Sequence, residues 1–225
     1  MQVKVNLKIF IFLIIFLLTR QIKIYAFLMF FAFVHELGHL FAGIILHMKP
    51  KVFEITPYGF SIRFEDNYTN YNKKIKKSNM SEIKKILIAA AGPIVNLIII
   101  LITYIYYFIS KNNYIFEVQL DMIIYSNLLI FIFNLLPIYP LDGGRILKGF
   151  IHIFAGLRKS YSYINLISNI TLIILTIISS ITVLIYKNVA IIIILVYLWI
   201  IVVRENVIYE KKEKILDIAY CKKAQ

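Results

Sequence analysis

Apolar residues in this chain come in long blocks separated by short polar intervals, not in alternation. The blocks run from about Val5 to Thr19, Ile24 to Leu46, Ile86 to Ile109, Leu120 to Leu136, Ile164 to Tyr186 and Val189 to Val203. A helix needs about 20 largely apolar residues to cross hydrocarbon, and the blocks meet or approach that length. The pattern therefore predicts an all-α polytopic membrane protein with six transmembrane helices. The first block is short and carries Lys8, whose stem can reach the interface. It ends in Thr19-Arg20-Gln21 without a small-x-small cleavage site, so it reads as a retained helix and not as a signal peptide.

Two intervals break the pattern. Residues 52–64 alternate imperfectly around Pro57 and Gly59, which predicts a short β-hairpin-like loop after the second span. The stretch from Asn67 to Ser81, rich in Asn and Lys, reads as a linker. The fourth block ends in Asn134-Leu135-Leu136-Pro137-Ile138-Tyr139-Pro140, where two prolines forbid a regular helix, so a broken segment is expected. Beyond Arg204 the charges alternate at helical spacing, predicting a short surface helix. The chain thus divides into a six-span domain over 1–203 and a charged cytosolic tail over 204–225.

Composition agrees with this reading. At 60% hydrophobic residues the chain lies well above soluble domains. The net charge of +13 raises nucleic acid as a partner, and its distribution excludes it. Lys and Arg cluster between the blocks, with no basic stripe interleaved with exposed aromatics. With the interval 47–85 placed in the cytosol, 21 of the 25 Lys and Arg fall on the inner side. The other 4 are Arg20, Lys23, Lys111 and Lys187. That bias puts both termini in the cytosol, with the basic segments against the inner leaflet of the lipid bilayer. The one cysteine, Cys221, has no partner for an internal disulfide.

Ionisable groups are costly at membrane depth, about 2.5–3.5 kcal/mol each on the milder scales. The second block nevertheless carries His35-Glu36-Leu37-Gly38-His39. Histidines four apart share a helix face and can grip one metal ion, and Glu36 beside them can take a proton from an activated water. The bland alternative is a set of buried polar residues bonding between helices. A catalytic zinc usually takes a third protein ligand. His47 lies at the cytosolic boundary and His152 beyond the fourth span. Glu117 and Asp121 lie at the outer edge, and most other acids belong to the cytosolic loop or the tail. Asp142 follows the broken segment, which can turn it back towards the histidines; alternatively, Pro-Leu-Asp-Gly-Gly is an exit turn that caps the next helix. Asn134 can hold an extended peptide backbone or bridge two helices. Asn96 and Asn127 read as inter-helix bridges.

Together, His35-Glu36-Leu37-Gly38-His39 and the run from Asn134 to Gly144 resemble the site-2 protease family of intramembrane metalloproteases. They resemble most its sporulation branch, which processes a sigma-factor precursor. Ile55-Thr56-Pro57-Tyr58-Gly59, Ala91-Gly92-Pro93 and Arg204-Glu205 match in order. The resemblance implies one zinc ion held by His35, His39 and Asp142, with Glu36 as catalytic base. It implies Asn134 and Pro140 as substrate-contacting positions, and places 52–64 against the membrane beside the active-site entrance. The implied substrate is a membrane-associated protein, the pro-sequence of a sporulation sigma factor, in the mother-cell membrane surrounding the forespore. An inhibitory membrane partner is implied with it. Members of that branch carry a C-terminal nucleotide-sensing CBS domain, and none is expected here; nor is a PDZ-like insertion. A metal or ion transporter is the rival reading, but it should show paired broken helices in two related halves, and only one break is evident. A non-catalytic scaffold would have lost part of the set.

Overall fold

Backbone amides in hydrocarbon have no water to bond, so a spanning segment must satisfy them internally. That requirement is met here by helices built from Ile, Leu and Phe. The computed structural model describes residues 2–5, 22–56, 59–64, 76–109, 114–186 and 190–221. In chain order these form β1 (Gln2–Val5), α1 (Ile22–Ile45), β2 (Pro50–Thr56), β3 (Gly59–Phe64) and α2 (Lys76–Ile109). There follow α3 (Tyr114–Leu135), α4 (Asp142–Ala155), α5 (Leu157–Tyr186) and α6 (Ala190–Cys221).

Three described helices are long and apolar enough to cross a membrane: Ile22–Ile45, Asn79–Ile109 and Leu157–Val183. They coincide with the second, third and fifth expected spans. The fourth appears as a shorter apolar helix, Leu120–Leu135, and the sixth falls within α6. The expected first span lies outside the described residues except for Val5, which belongs to a strand. Exposure is inverted relative to a soluble protein. Ile102, Phe41 and Ile177 are exposed, whereas Asn96, Asn127 and Ser160 are fully buried, as expected where lipid is the solvent. Thr103, Thr171 and Thr182 return their hydroxyls to carbonyls four residues back in their own helices.

Several expectations are corrected. Residues 76–81, read as linker, already belong to α2, because Lys and Asn tolerate a helical turn that a longer apolar helix propagates. Ala91-Gly92-Pro93 consequently lies well inside α2. Between the broken segment and the fifth expected span, which begins at about Ile164, the chain forms α4 and the first turns of α5. The tail helix is continuous with the sixth span as far as Cys221. The hairpin is real and is part of a larger sheet. β2 and β3 pair antiparallel, from Phe53 opposite Ile62 to Thr56 opposite Gly59, and β1 adds in parallel with Val3 opposite Phe53.

The chain forms two compact units, Met1–Leu135 and Leu136–Gln225. In the first, α1 packs against α2 and α3, and the sheet lies on α1. The Phe53 ring meets Phe33 edge-on at 6.4 Å, and Phe64 fills the space a Cβ at Gly43 would need. These contacts bracket the segment from His35 to His39. α1 ends with its amides returning: His47 N–H donates to the Ile44 carbonyl and Met48 N–H to that of Gly43. His47 takes the left-handed conformation (φ 58°) that such a stop requires. The Lys84 ammonium donates to the Leu46 carbonyl at 2.9 Å, a cation on the negative end of α1.

In the second unit, the segment 136–141 is tied at three points. Ile138 is fully buried, the Tyr139 N–H donates to Ser168 Oγ at 3.0 Å, and Gly144 lets its backbone lie on the first turn of α4. The Tyr139–Pro140 peptide is cis. α4 stops at Gly156 (φ 86°), a backbone angle that suits glycine.

Candidate metal centre

Small residues decide how closely α1 and α2 approach. A Cβ on Gly38 would sit 2.8 Å from Val95 Cγ2 and 3.1 Å from the Ala91 carbonyl oxygen. A Cβ on Gly92 would sit 2.5 Å from His39 Nε2 and 2.6 Å from His35 Nε2. Two glycines facing opposite helices therefore open a slot, and the histidine pair of α1 fills it. Both histidines are buried, as is Glu36 between them. Their rings stand nearly perpendicular at 4.8 Å between centroids.

Hydrogen bonds at Nδ1 indicate the tautomer of each ring. His39 Nδ1 lies 2.7 Å from the Ile88 carbonyl oxygen. A carbonyl can only accept, so Nδ1 carries the proton and Nε2 of the neutral ring presents a lone pair. His35 Nδ1 lies 3.3 Å from Asn96 Oδ1, and the Asn96 amide nitrogen donates to the Asn127 carbonyl at 3.5 Å. That orientation makes Oδ1 the acceptor, so His35 also donates from Nδ1. With both rings neutral, as metal ligation requires, the two Nε2 atoms are both acceptors, and they face each other at 3.2 Å. Two lone pairs at that distance repel unless a cation lies between them. Two nitrogens each about 2.05 Å from one tetrahedral zinc would be about 3.3 Å apart. The pair fits the metal by chemistry, by spacing and by the space that Gly92 leaves.

Asn134 lies near the end of α3 in the first unit. Asp142 and Pro140 belong to the second unit. Asp142 is the first residue of α4, where a negative charge is favoured, and the N-cap position is Leu141 with no side-chain cap. A turn leads straight into α4, as the exit-turn alternative has it, with Asp142 at the first helical position and not at the N-cap. Asp142 is buried, with Arg145 Nη1 at 3.7 Å from Oδ1. His47 terminates α1, and His152 lies in the last turn of α4.

The residue underrated by the sequence is Asn96. It does bridge helices, as expected, but what it bridges is a metal-ligand candidate, His35, and the backbone of α3. One signal in the sequence pointed there: Ile88, Gly92 and Asn96 are spaced by four and so share one face of α2.

The chain is similar to several known proteins. The sequence matches the family described as "Peptidase family M50" over residues 23–120 and 111–178. It is 27% identical over 131 residues to stage IV sporulation protein FB of Bacillus subtilis, covering 58% of this chain and 41% of that protein. It is 32% identical over 133 residues to zinc metalloprotease MJ0392 of Methanocaldococcus jannaschii, covering 58% of this chain and 33% of that protein. The matches therefore span less than half of either relative. Among solved structures, a site-2 protease from Methanocaldococcus jannaschii superimposes with a TM-score of 0.59 at 20% identity, covering 90% of this chain and 89% of that one. That likeness is one of fold.

Proposed function

We propose a function from one established fact: this chain belongs to peptidase family M50. It is an intramembrane zinc endopeptidase that hydrolyses a peptide bond in a membrane-associated protein. The observation that carries this is the pair of Nε2 acceptors facing each other at 3.2 Å in a buried slot of α1 and α2, with Glu36 beside them. His35 and His39 are two zinc ligands and Asp142 is the third, a two-nitrogen, one-carboxylate donor set of the kind zinc takes in hydrolases. When bound, zinc polarises the scissile carbonyl and makes water nucleophilic near neutral pH. Glu36 takes the proton from the attacking water and delivers it to the leaving amine. Asn134 and Pro140 hold the unwound substrate strand, and the hairpin 52–64 borders its access.

For the substrate we favour the pro-sequence of a sporulation sigma factor, cut at the mother-cell membrane around the forespore and restrained by an inhibitory membrane partner. The similarity to stage IV sporulation protein FB supports that choice. The charge bias supports cytosolic termini.

The reaction is tested by co-expressing the chain with candidate sigma precursors. Wild type should shorten one of them, and Glu36→Gln at equal protein level should lower cleavage by at least about 10²-fold. Normal cleavage by Glu36→Gln would sink the mechanism. No shortened precursor alongside cleavage of another membrane protein would sink only the sporulation assignment. Metal flux in proteoliposomes without proteolysis would favour a transporter instead.

A further inference from the structure

We propose that Asn96 is a positioning residue for the metal centre: it holds the His35 ring in the tautomer that presents Nε2. The inference rests on the zinc-protease reading above and adds to it a residue on a different helix. Three positions of α2 at four-residue intervals act on the histidine pair of α1. The Ile88 carbonyl receives His39 Nδ1–H at 2.7 Å. Gly92 leaves room for both Nε2 atoms. Asn96 Oδ1 receives His35 Nδ1–H at 3.3 Å. The Nδ1 of one ring is thus met by backbone, which no side-chain substitution at Ile88 can remove, and the Nδ1 of the other is met by a side chain.

That side chain is itself oriented. Asn96 is fully buried, and a free amide there could turn either its oxygen or its nitrogen towards His35. Its Nδ2 donates to the Asn127 main-chain carbonyl, an acceptor contributed by α3, so Oδ1 faces the imidazole. The Asn127 side chain is occupied elsewhere, donating to Ile123 within its own helix. The relay runs from the α3 backbone through the Asn96 amide to His35, and it leaves the Nε2 lone pair turned towards His39. Loss of such an outer partner typically weakens metal binding about 10–100-fold, because the ligand ring then samples the wrong tautomer and orientation.

The test uses the purified full chain with 15N-labelled histidine, zinc titrated against a competing chelator, and ring-nitrogen NMR of the metal-free protein. Wild type should show His35 as a single Nδ1–H tautomer. Asn96→Ala should lose that signature at His35 but keep it at His39, and should bind zinc about 10–100-fold more weakly. Asn96→Asp keeps an acceptor oxygen and should recover both the tautomer and, to within about threefold, the affinity. Thr103→Val, an isosteric change two turns further along α2 whose hydroxyl bonds only within the helix, should move neither readout. A His35 that keeps its tautomer and zinc affinity in folded Asn96→Ala would overturn the proposal, as would an Asn96→Asp variant no better than Asn96→Ala. Should Asn96→Ala not fold, an Nε2–H tautomer at His35 in metal-free wild type overturns it, and the Nδ1–H tautomer with recovery in Asn96→Asp supports it. Wild type that binds no zinc at all would refute the metalloprotease reading, and the tautomer measurement would still decide the role of Asn96.

Discussion

At Gly92 two effects of opposite sign meet. Replacing glycine by alanine inside a helix normally stabilises it by about 1 kcal/mol. Here the new Cβ would lie 2.5–2.6 Å from the Nε2 atoms of His39 and His35, and such overpacking costs about 1–3 kcal/mol while pushing the rings apart. The steric effect wins. Gly92→Ala is expected to keep its helicity and to lose zinc affinity by at least about tenfold, read by chelator competition; unchanged affinity would mean the slot is wider than described. His47 presents the reverse case. It holds a left-handed angle, φ 58°, at the end of α1, a conformation that costs a side-chain-bearing residue about 1–2 kcal/mol and glycine little. Part of that gain is offset by the greater chain entropy glycine must lose. His47→Gly should therefore raise stability by about 0.5–1 kcal/mol in detergent unfolding and leave cleavage intact. Loss of cleavage would give His47 a chemical role it lacks here.

Among the elements, the segment 136–141 and helix α4 are the most exacting. Breaking a helix at Pro137 and Pro140 frees backbone groups that something must satisfy. Ser168 of α5 supplies one partner, and Gly144 permits close approach, since a Cβ there would meet the Ile138 carbonyl and Tyr139 nitrogen at 2.5 Å. Backbone cannot move aside as a flexible side chain can. Gly144→Ala is thus expected to destabilise by about 1–3 kcal/mol and to abolish cleavage. Ser168→Ala, removing one acceptor from a partly buried N–H, should cost about 1 kcal/mol. Equal and negligible effects of both changes, measured by thermal unfolding and substrate cleavage, would show that the segment is not held by these contacts. The sequence marked this break by its prolines, but only the folded chain shows which residues hold it.

At the scale of the whole molecule, two expectations concern metal and membrane. A ligand that binds only the folded state stabilises it by about 2.7 kcal/mol when present at 100 times its dissociation constant. Stripping zinc should therefore lower the Tm, and zinc alone should restore it, an effect His39→Ala abolishes. Insensitivity of Tm to chelator would argue against a bound metal. Orientation is accessible through the one cysteine, Cys221. If both termini are cytosolic, a membrane-impermeant maleimide should label it in inside-out vesicles and not in intact cells; the opposite pattern would invert the topology.

The sequence by itself determined that the chain enters a membrane, that a hairpin follows the second apolar block, and that His35, Glu36 and His39 share a helix. Each of these depends on local spacing: block length against bilayer thickness, alternation around a turn, and a four-residue separation that puts two side chains on one helix face. It also marked Asn96 as a polar residue out of place. Helix ends were less legible, because α2 begins in a Lys- and Asn-rich turn whose composition suits a linker, and α6 runs without a break from its span into the expected tail helix. What only tertiary structure decided is which partner each buried polar group takes. Asn96 reaches His35, Gly92 faces two imidazoles, and Gly43 receives Phe64. Those choices depend on how two helices meet at a few ångströms, and no pattern along one strand of sequence encodes that distance.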